Sequence, residues 1–157
     1  MTQTKVETGT VRVKRTIKAP PERVYNAFLD PDAMVKWLPP HGFTAKVHHM
    51  EPKVGGTYRM SFSSLNKKCP QAFGGKYLEL KPFERIRYTD AFETDNPEMQ
   101  GEMVTTITFK AVEGGTEVSV EQTGVPKLIK VSDAQAGWGQ SLDLLTALVE
   151  APDFPPA

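Results

Sequence analysis

Val11, Val13 and Ile17 alternate with Arg12, Lys14, Thr16 and Lys18, a period of two that places apolar side chains on one face of a strand and charge on the other. Ala19-Pro20-Pro21 stops this strand, and proline is tolerated at a helix start because that amide has no intrahelical partner. Val24, Ala27 and Phe28 follow at i, i+3 and i+4, a short helical stripe that breaks at Asp30-Pro31. Asp30 is placed to cap a second short helix in which Met34, Trp37 and Leu38 repeat the spacing, until Pro39-Pro40 ends it.

From Phe43 onward the pattern predicts about six more strands, separated at Pro52 to Gly56, Pro70, Gly74-Gly75, Lys81-Pro82, Asp95 to Gly101, Gly114-Gly115 and Gly124. The clearest alternations are Tyr58, Met60 and Phe62; Ile86, Tyr88 and Phe92; Met103, Thr105, Ile107 and Phe109; and Val118, Val120 and Gln122. Their neighbours Arg59, Arg85, Arg87, Thr106, Thr108, Glu117 and Glu121 are polar, as in an antiparallel sheet with one solvated face. Tyr77 to Leu80 does not alternate cleanly and suggests a bulge.

The last element is a long helix over Asp133 to Glu150, with Ser132 and Gln135 fitting a capping box. Trp138, Leu142, Leu145 and Val149 share one face with Ser141 and Leu148, and at the helical rise the element runs about 27 Å. The oily sheet face is the large surface it can cover. The expected class is therefore α+β, one domain over residues 11–150, between a flexible segment 1–10 and a loose, proline-rich tail 151–157.

Composition narrows the function. The 157 residues hold 19 Lys plus Arg against 19 Asp plus Glu, so no net charge draws the chain to nucleic acid. No run approaches a membrane span and Met1 to Thr10 lacks an apolar signal core, so the expectation is a cytoplasmic protein without membrane insertion. Cys69 is the single cysteine, which excludes an intrachain disulfide and a multi-cysteine zinc site.

The words RTIKAPPERVY at Arg15 to Tyr25, KWLPP at Lys36 to Pro40, VGGTYR at Val54 to Arg59, PFERI at Pro82 to Ile86 and AGW at Ala136 to Trp138 resemble those of the activator-of-heat-shock-protein-90-ATPase-like proteins. These belong to the START-like (SRPBCC) superfamily of the helix-grip fold, with plant pollen allergens and polyketide cyclase/dehydrases. The resemblance spans roughly Val11 to Glu150. It implies a curved antiparallel sheet of six or seven strands around the C-terminal helix, with an apolar cavity that binds or processes a small hydrophobic molecule. It fixes no substrate, since one fold hosts many functions.

With that cavity in view, Tyr58, Met60, Phe62, Tyr88, Phe92 and Met103 become its candidate wall, because thioethers and aromatic faces adapt to irregular guests. Tyr77, Tyr88, Gln122 and Ser141 are candidates for the few polar contacts that orient a guest. Trp37, Trp138, Leu142 and Leu145 complete the ligand-binding set, and each also fits plain core packing. Gly137 and Gly139 flank Trp138 at about 1 kcal/mol each relative to alanine, which implies close approach to a ligand or to the sheet.

Catalytic and cofactor signals are weak. His41, His48 and His49 form no metal-ligand spacing with carboxylates or cysteine, so neither metal nor other cofactor is expected. His48 is a candidate general base only if it faces the cavity. Cys69, beside Lys67 and Lys68, has no histidine partner, and neither a GxSxG elbow nor a phosphate loop occurs. The first expectation is thus a binding module for a small hydrophobic or amphipathic molecule. The second is a cyclase, dehydratase or hydrolase using His48, Tyr77 or Tyr88. The third is co-chaperone work, ranked last because a single domain is expected, without the separate N-terminal chaperone-binding domain of the activator. A homodimer is left open.

Overall fold

The computed structural model describes residues 8–66 and 70–151. Strand β1 (Thr8–Ile17) leads into helices α1 (Pro21–Ala27) and α2 (Pro31–Trp37). Six strands follow: β2 (Phe43–Met50), β3 (Thr57–Ser64), β4 (Gln71–Lys81), β5 (Arg85–Phe92), β6 (Met103–Val112) and β7 (Gly115–Pro126). Helix α3 (Val131–Glu150) closes the fold. All pairings are antiparallel, in the order β1-β7-β6-β5-β4-β3-β2. Each strand from β2 to β6 thus neighbours its sequence successor. The one non-local pairing is β1 with β7, since α1 and α2 carry the chain from one edge of the sheet to the other.

The curved sheet turns its apolar face toward α3, and the alternation in the sequence explains which side chains it presents. Tyr58, Met60, Phe73, Tyr77, Ile86, Ile107, Phe109, Val118 and Val120 are buried in the main core. From α3, Leu142, Leu145 and Val149 enter the same cluster fully buried, each worth roughly 1.5–3 kcal/mol of transfer free energy. Asp30 caps α2 as its sequence position suggests, its Oδ1 accepting from the Asp32 amide at 3.0 Å. Arg23 donates to the Val149 carbonyl at 3.0 Å, and the Glu150 carboxylate accepts from the Lys18 amide at 2.8 Å, which ties the end of α3 to the β1–α1 connection.

Five local features differ from the sequence pattern or refine it, and the first is that Gly74-Gly75 separates no strands but lies inside β4. β1 begins at Thr8, so Thr8, Gly9 and Thr10 belong to the sheet rather than to the N-terminal segment; Thr8 and Gly9 pair with Pro126 and Val125. α3 begins at Val131, and its N-cap Lys130 makes no side-chain cap bond, so the Ser132–Gln135 capping box does not form. The start is set by packing instead, because Val131 and Ala134 rest on a small cluster of Val11, Met103 and Val125. Gly124 does not end β7 but sits inside it at φ 75°, a left-handed kink opposite the register shift between Gly9 and Val11. The irregularity expected in Tyr77 to Leu80 is a register shift between Tyr77 and Glu79.

Cys69 with Lys67 and Lys68, residues 1–7 and the tail 152–157 lie outside the described residues.

Candidate functional site

A cavity of about 540 Å³ lies between the sheet and the N-terminal half of α3. Strands β3, β4 and β5 supply Tyr58, Met60, Phe62, Phe73, Tyr77, Ile86, Tyr88, Asp90 and Phe92; β6 and β7 add Met103, Gln122 and Val125. Ala134, Gly137, Trp138 and Ser141 roof it, and Phe28, Met34, Leu38, Pro40 and Phe43 close the side nearest the short helices. The space persists because of what α3 presents at each level. Toward its C-terminal end Leu142, Leu145 and Val149 fill the gap to the sheet, whereas above the cavity the small residues Ala134, Gly137 and Ser141 stand beside Trp138. A methyl group on Gly137 would meet nothing within 4 Å.

Most polar groups on the wall are already engaged. The Trp138 indole donates to Gln122 Oε1 at 3.3 Å, and Gln122 Nε2 donates to Thr105 Oγ1 at 3.0 Å. Ser141 Oγ donates within reach of the Leu38 carbonyl at 2.6 Å and the Gly137 carbonyl at 3.1 Å. The Tyr58 hydroxyl donates to the Thr89 carbonyl at 3.1 Å. The rings of Tyr58, Tyr77 and Tyr88 stand 5.7–6.2 Å apart, centroid to centroid. Burial raises all three hydroxyls above their ordinary pKa, with the Asp90 charge adding to the effect on Tyr58 and Tyr88.

Asp90 is the exception. Its Oδ1 is sealed from solvent and has no hydrogen-bond partner. Burial pushes its carboxyl from 3.8 up to about 7, partly offset by the Tyr58 hydroxyl and the Ala91 backbone. The approach of the strands here depends on Gly74 and Gly75: a side chain on either would run into the carbonyl oxygen of Tyr58 or of Thr89, respectively.

Ten of the residues singled out in the sequence meet at this cavity: Tyr58, Met60, Phe62, Tyr77, Tyr88, Phe92, Met103, Gln122, Trp138 and Ser141. Three do not. Trp37 is fully buried below the cavity wall, its ring 4.6 Å from Phe28 and its indole donating to the Ala27 carbonyl at 3.0 Å. Leu142 and Leu145 are spent on the core, with no exposed surface left. His48 is exposed on the outer face, where its Nε2 pairs with Ser61 Oγ at 3.0 Å, so the general base suggested for it is not available to the cavity. His49 pairs likewise with Thr57.

The glycines around Trp138 separate into two roles. Gly139 takes the Arg15 guanidinium of β1 against its Cα, 3.0 Å from where a Cβ would stand, while Gly137 faces the cavity. Sequence reasoning missed several lining residues, among them Phe28, Met34, Phe73, Ile86 and Val125, and the charged one it missed is Asp90. The period of two that marks Ile86, Tyr88 and Phe92 runs straight through it, and its charge masked that membership.

Among the described residues no three of His, Cys, Asp and Glu gather to hold a metal ion. None of their helices is long and apolar enough to cross a membrane.

Comparison with known proteins agrees with this architecture. A crystal structure of a protein from Chromobacterium violaceum superposes with a TM-score of 0.86 at 50% identity, over 90% of this chain and 96% of that one. A second, from Mesorhizobium loti, gives 0.74 at 25% identity over 92% and 99%. A solution structure from Arthrobacter aurescens, at 16% identity, shares the fold with a TM-score of 0.81 over 96% and 91%. No curated protein matches. Residues 18–150 match the model of the family described as Activator of Hsp90 ATPase homolog 1-like protein, and the chain belongs to that family.

Proposed function

We propose that this protein binds a small hydrophobic or amphipathic molecule in the cavity between its sheet and α3. The observation that carries this reading is the cavity itself. Its volume of about 540 Å³ falls within the roughly 300–1,000 Å³ of sites that enclose drug-sized ligands, and its wall is aromatic and aliphatic with few polar groups, as such sites are. A well-packed core holds few voids larger than a water molecule, so an opening this large beside small helix residues is what a guest requires.

The test is a thermal-shift panel of fatty acids, sterols, aromatic polyketides and alkyl amines on the wild type and on Gly137→Leu, which fills the roof. A guest at about 100 times its Kd adds about 2.7 kcal/mol of stability. At least one compound should raise the melting temperature of the wild type and lose its effect on the variant. Uniform silence across the panel would refute the reading.

Asp90 favours a second reading, an enzyme of the cyclase or dehydratase type acting on a similar guest. A carboxyl held at about 7 beside the guest can take or give a proton near neutrality. Recovery of chemically unaltered guest after prolonged incubation with the protein, judged by mass and chromatography for each compound that binds, would count against it.

A further inference from the structure

We propose that the guest carries a protonated amine, whose N–H group meets the Asp90 carboxylate while its apolar body lies between the sheet and Trp138. This deepens the binding reading above and rests on it.

Asp90 sets a carboxylate on an apolar wall that, among the described residues, holds no cation to pair with it. Buried carboxylate oxygens are ordinarily paired, and an unpaired one is costly. Oδ1 has no hydrogen-bond partner, and the Tyr58 hydroxyl, which also acts on this carboxyl, is shared with the Thr89 carbonyl at 3.1 Å. Asp90 as a residue lines the cavity, so a donor on the guest can supply the counter-charge that the cavity wall lacks.

Charge selects the kind of donor. Among the described residues that line the cavity, Asp90 is the only charged one, with no lysine, arginine or histidine beside it. A guest with a carboxylate or phosphate end would meet a like charge and no counter-ion. An ammonium end instead meets a counter-charge, and an ion-assisted hydrogen bond is stronger than a neutral one.

The surroundings add a second attraction. Three tyrosine rings, Tyr58, Tyr77 and Tyr88, stand within 5.7–6.2 Å of one another on the three strands around Asp90. Tyrosine faces attract cations, the more so when water is excluded. Carboxylate and aromatic rings together form an end that fits an alkyl or arylalkyl ammonium, and the remaining wall of Met60, Phe73 and Phe92 receives its apolar body.

The test compares decylamine, decanol and decanoate, which share one chain and differ in the end group. Binding is followed by calorimetry and Trp138 fluorescence at about pH 8.5, where the amine is protonated and the carboxyl ionised. Decylamine should bind at least about tenfold tighter than decanol, with decanoate weakest. Asp90→Asn should abolish the advantage of the amine over decanol, since no charged pair remains. Decanoate binding as tightly as decylamine, an amine no better than the alcohol, or an amine preference retained in Asp90→Asn would overturn the proposal while leaving the cavity a binding site. Should none of the three bind, nor any compound of the wider panel, the binding reading falls and this inference with it. The wild-type series decides the matter even if the variant does not fold.

Discussion

Trp138 on α3 and Gln122 on β7 are joined by a hydrogen bond of 3.3 Å, from the indole N–H to the amide oxygen, and Gln122 passes the link on to Thr105 of β6 at 3.0 Å. The helix roof of the cavity is thereby tied to the sheet by a polar contact set in an apolar wall. Trp138→Phe keeps most of the ring but removes the donor, which leaves the buried Gln122 oxygen unpaired. The variant should lose about 1–3 kcal/mol in urea denaturation, with the m-value unchanged. Stability equal to that of the wild type would mean that the bond contributes nothing.

Two glycines a single residue apart predict opposite effects. At Gly137 a methyl group enters open space, so Gly137→Ala should stabilise the protein by up to about 1 kcal/mol through helix propensity. At Gly139 the same methyl group presses on the Arg15 guanidinium, which donates to Asp143 at 3.0 Å. The propensity gain is there set against a displaced side chain, so Gly139→Ala should be the less stable of the two variants in parallel urea titrations. Equal stabilisation by both would show that Arg15 moves aside freely.

This contrast shows how much was legible in the sequence. The apolar period of two identified the inner face of the sheet, and the helical spacing identified α3, because both depend only on geometry local to the chain. The ten cavity residues came from those periods together with the family resemblance. Depth did not come with them. Leu142 and Leu145 share the helix face of Trp138 and Ser141, yet they lie where the helix meets the sheet and the cavity has ended. Periodicity assigns a face, not a level along it. Trp37 was misplaced for a related reason, since an aromatic residue on a short helix reads the same whether it looks into a cavity or lies behind its wall. Asp90 escaped because alternation is sought among apolar residues, and a carboxylate on the oily face breaks the pattern at the position where chemistry is concentrated. The false capping box belongs here too: Ser132 and Gln135 have the spacing, but burial of Val131 starts the helix earlier.

If Trp37 belongs to the core, its removal should affect stability and spare binding. Trp37→Phe leaves the buried Ala27 carbonyl without its donor, and about 1–3 kcal/mol should be lost. The affinity for any guest that binds the wild type should stay within about twofold, since Trp37 has no surface on the cavity and non-contacting sites act independently. A large loss of affinity at preserved fold would move Trp37 back into the site.

The Asp90 carboxyl predicts a pH dependence of unusual sign. Most carboxylates that are paired or hydrogen-bonded in the folded state have lowered pKa values, so acid destabilises the fold through them. Here the folded value is raised, from 3.8 to about 7, chiefly by burial. Below about pH 4 the group is protonated in both states and adds no pH dependence. Between about pH 4 and 7 the folded protein holds a proton that the unfolded chain releases, so stability falls as pH rises. Above about 7 the whole penalty is present, at most about 4 kcal/mol from the two values. Asp90→Asn cannot ionise, so its stability relative to the wild type should climb through this window and level off above it. Comparing the pair at each pH in urea cancels the groups they share, including the exposed Glu51 and Glu93, whose carboxyls are held low by Thr57 and Arg59. A difference between wild type and variant that stays flat from about pH 4 to 8 would show that the Asp90 carboxyl reaches water.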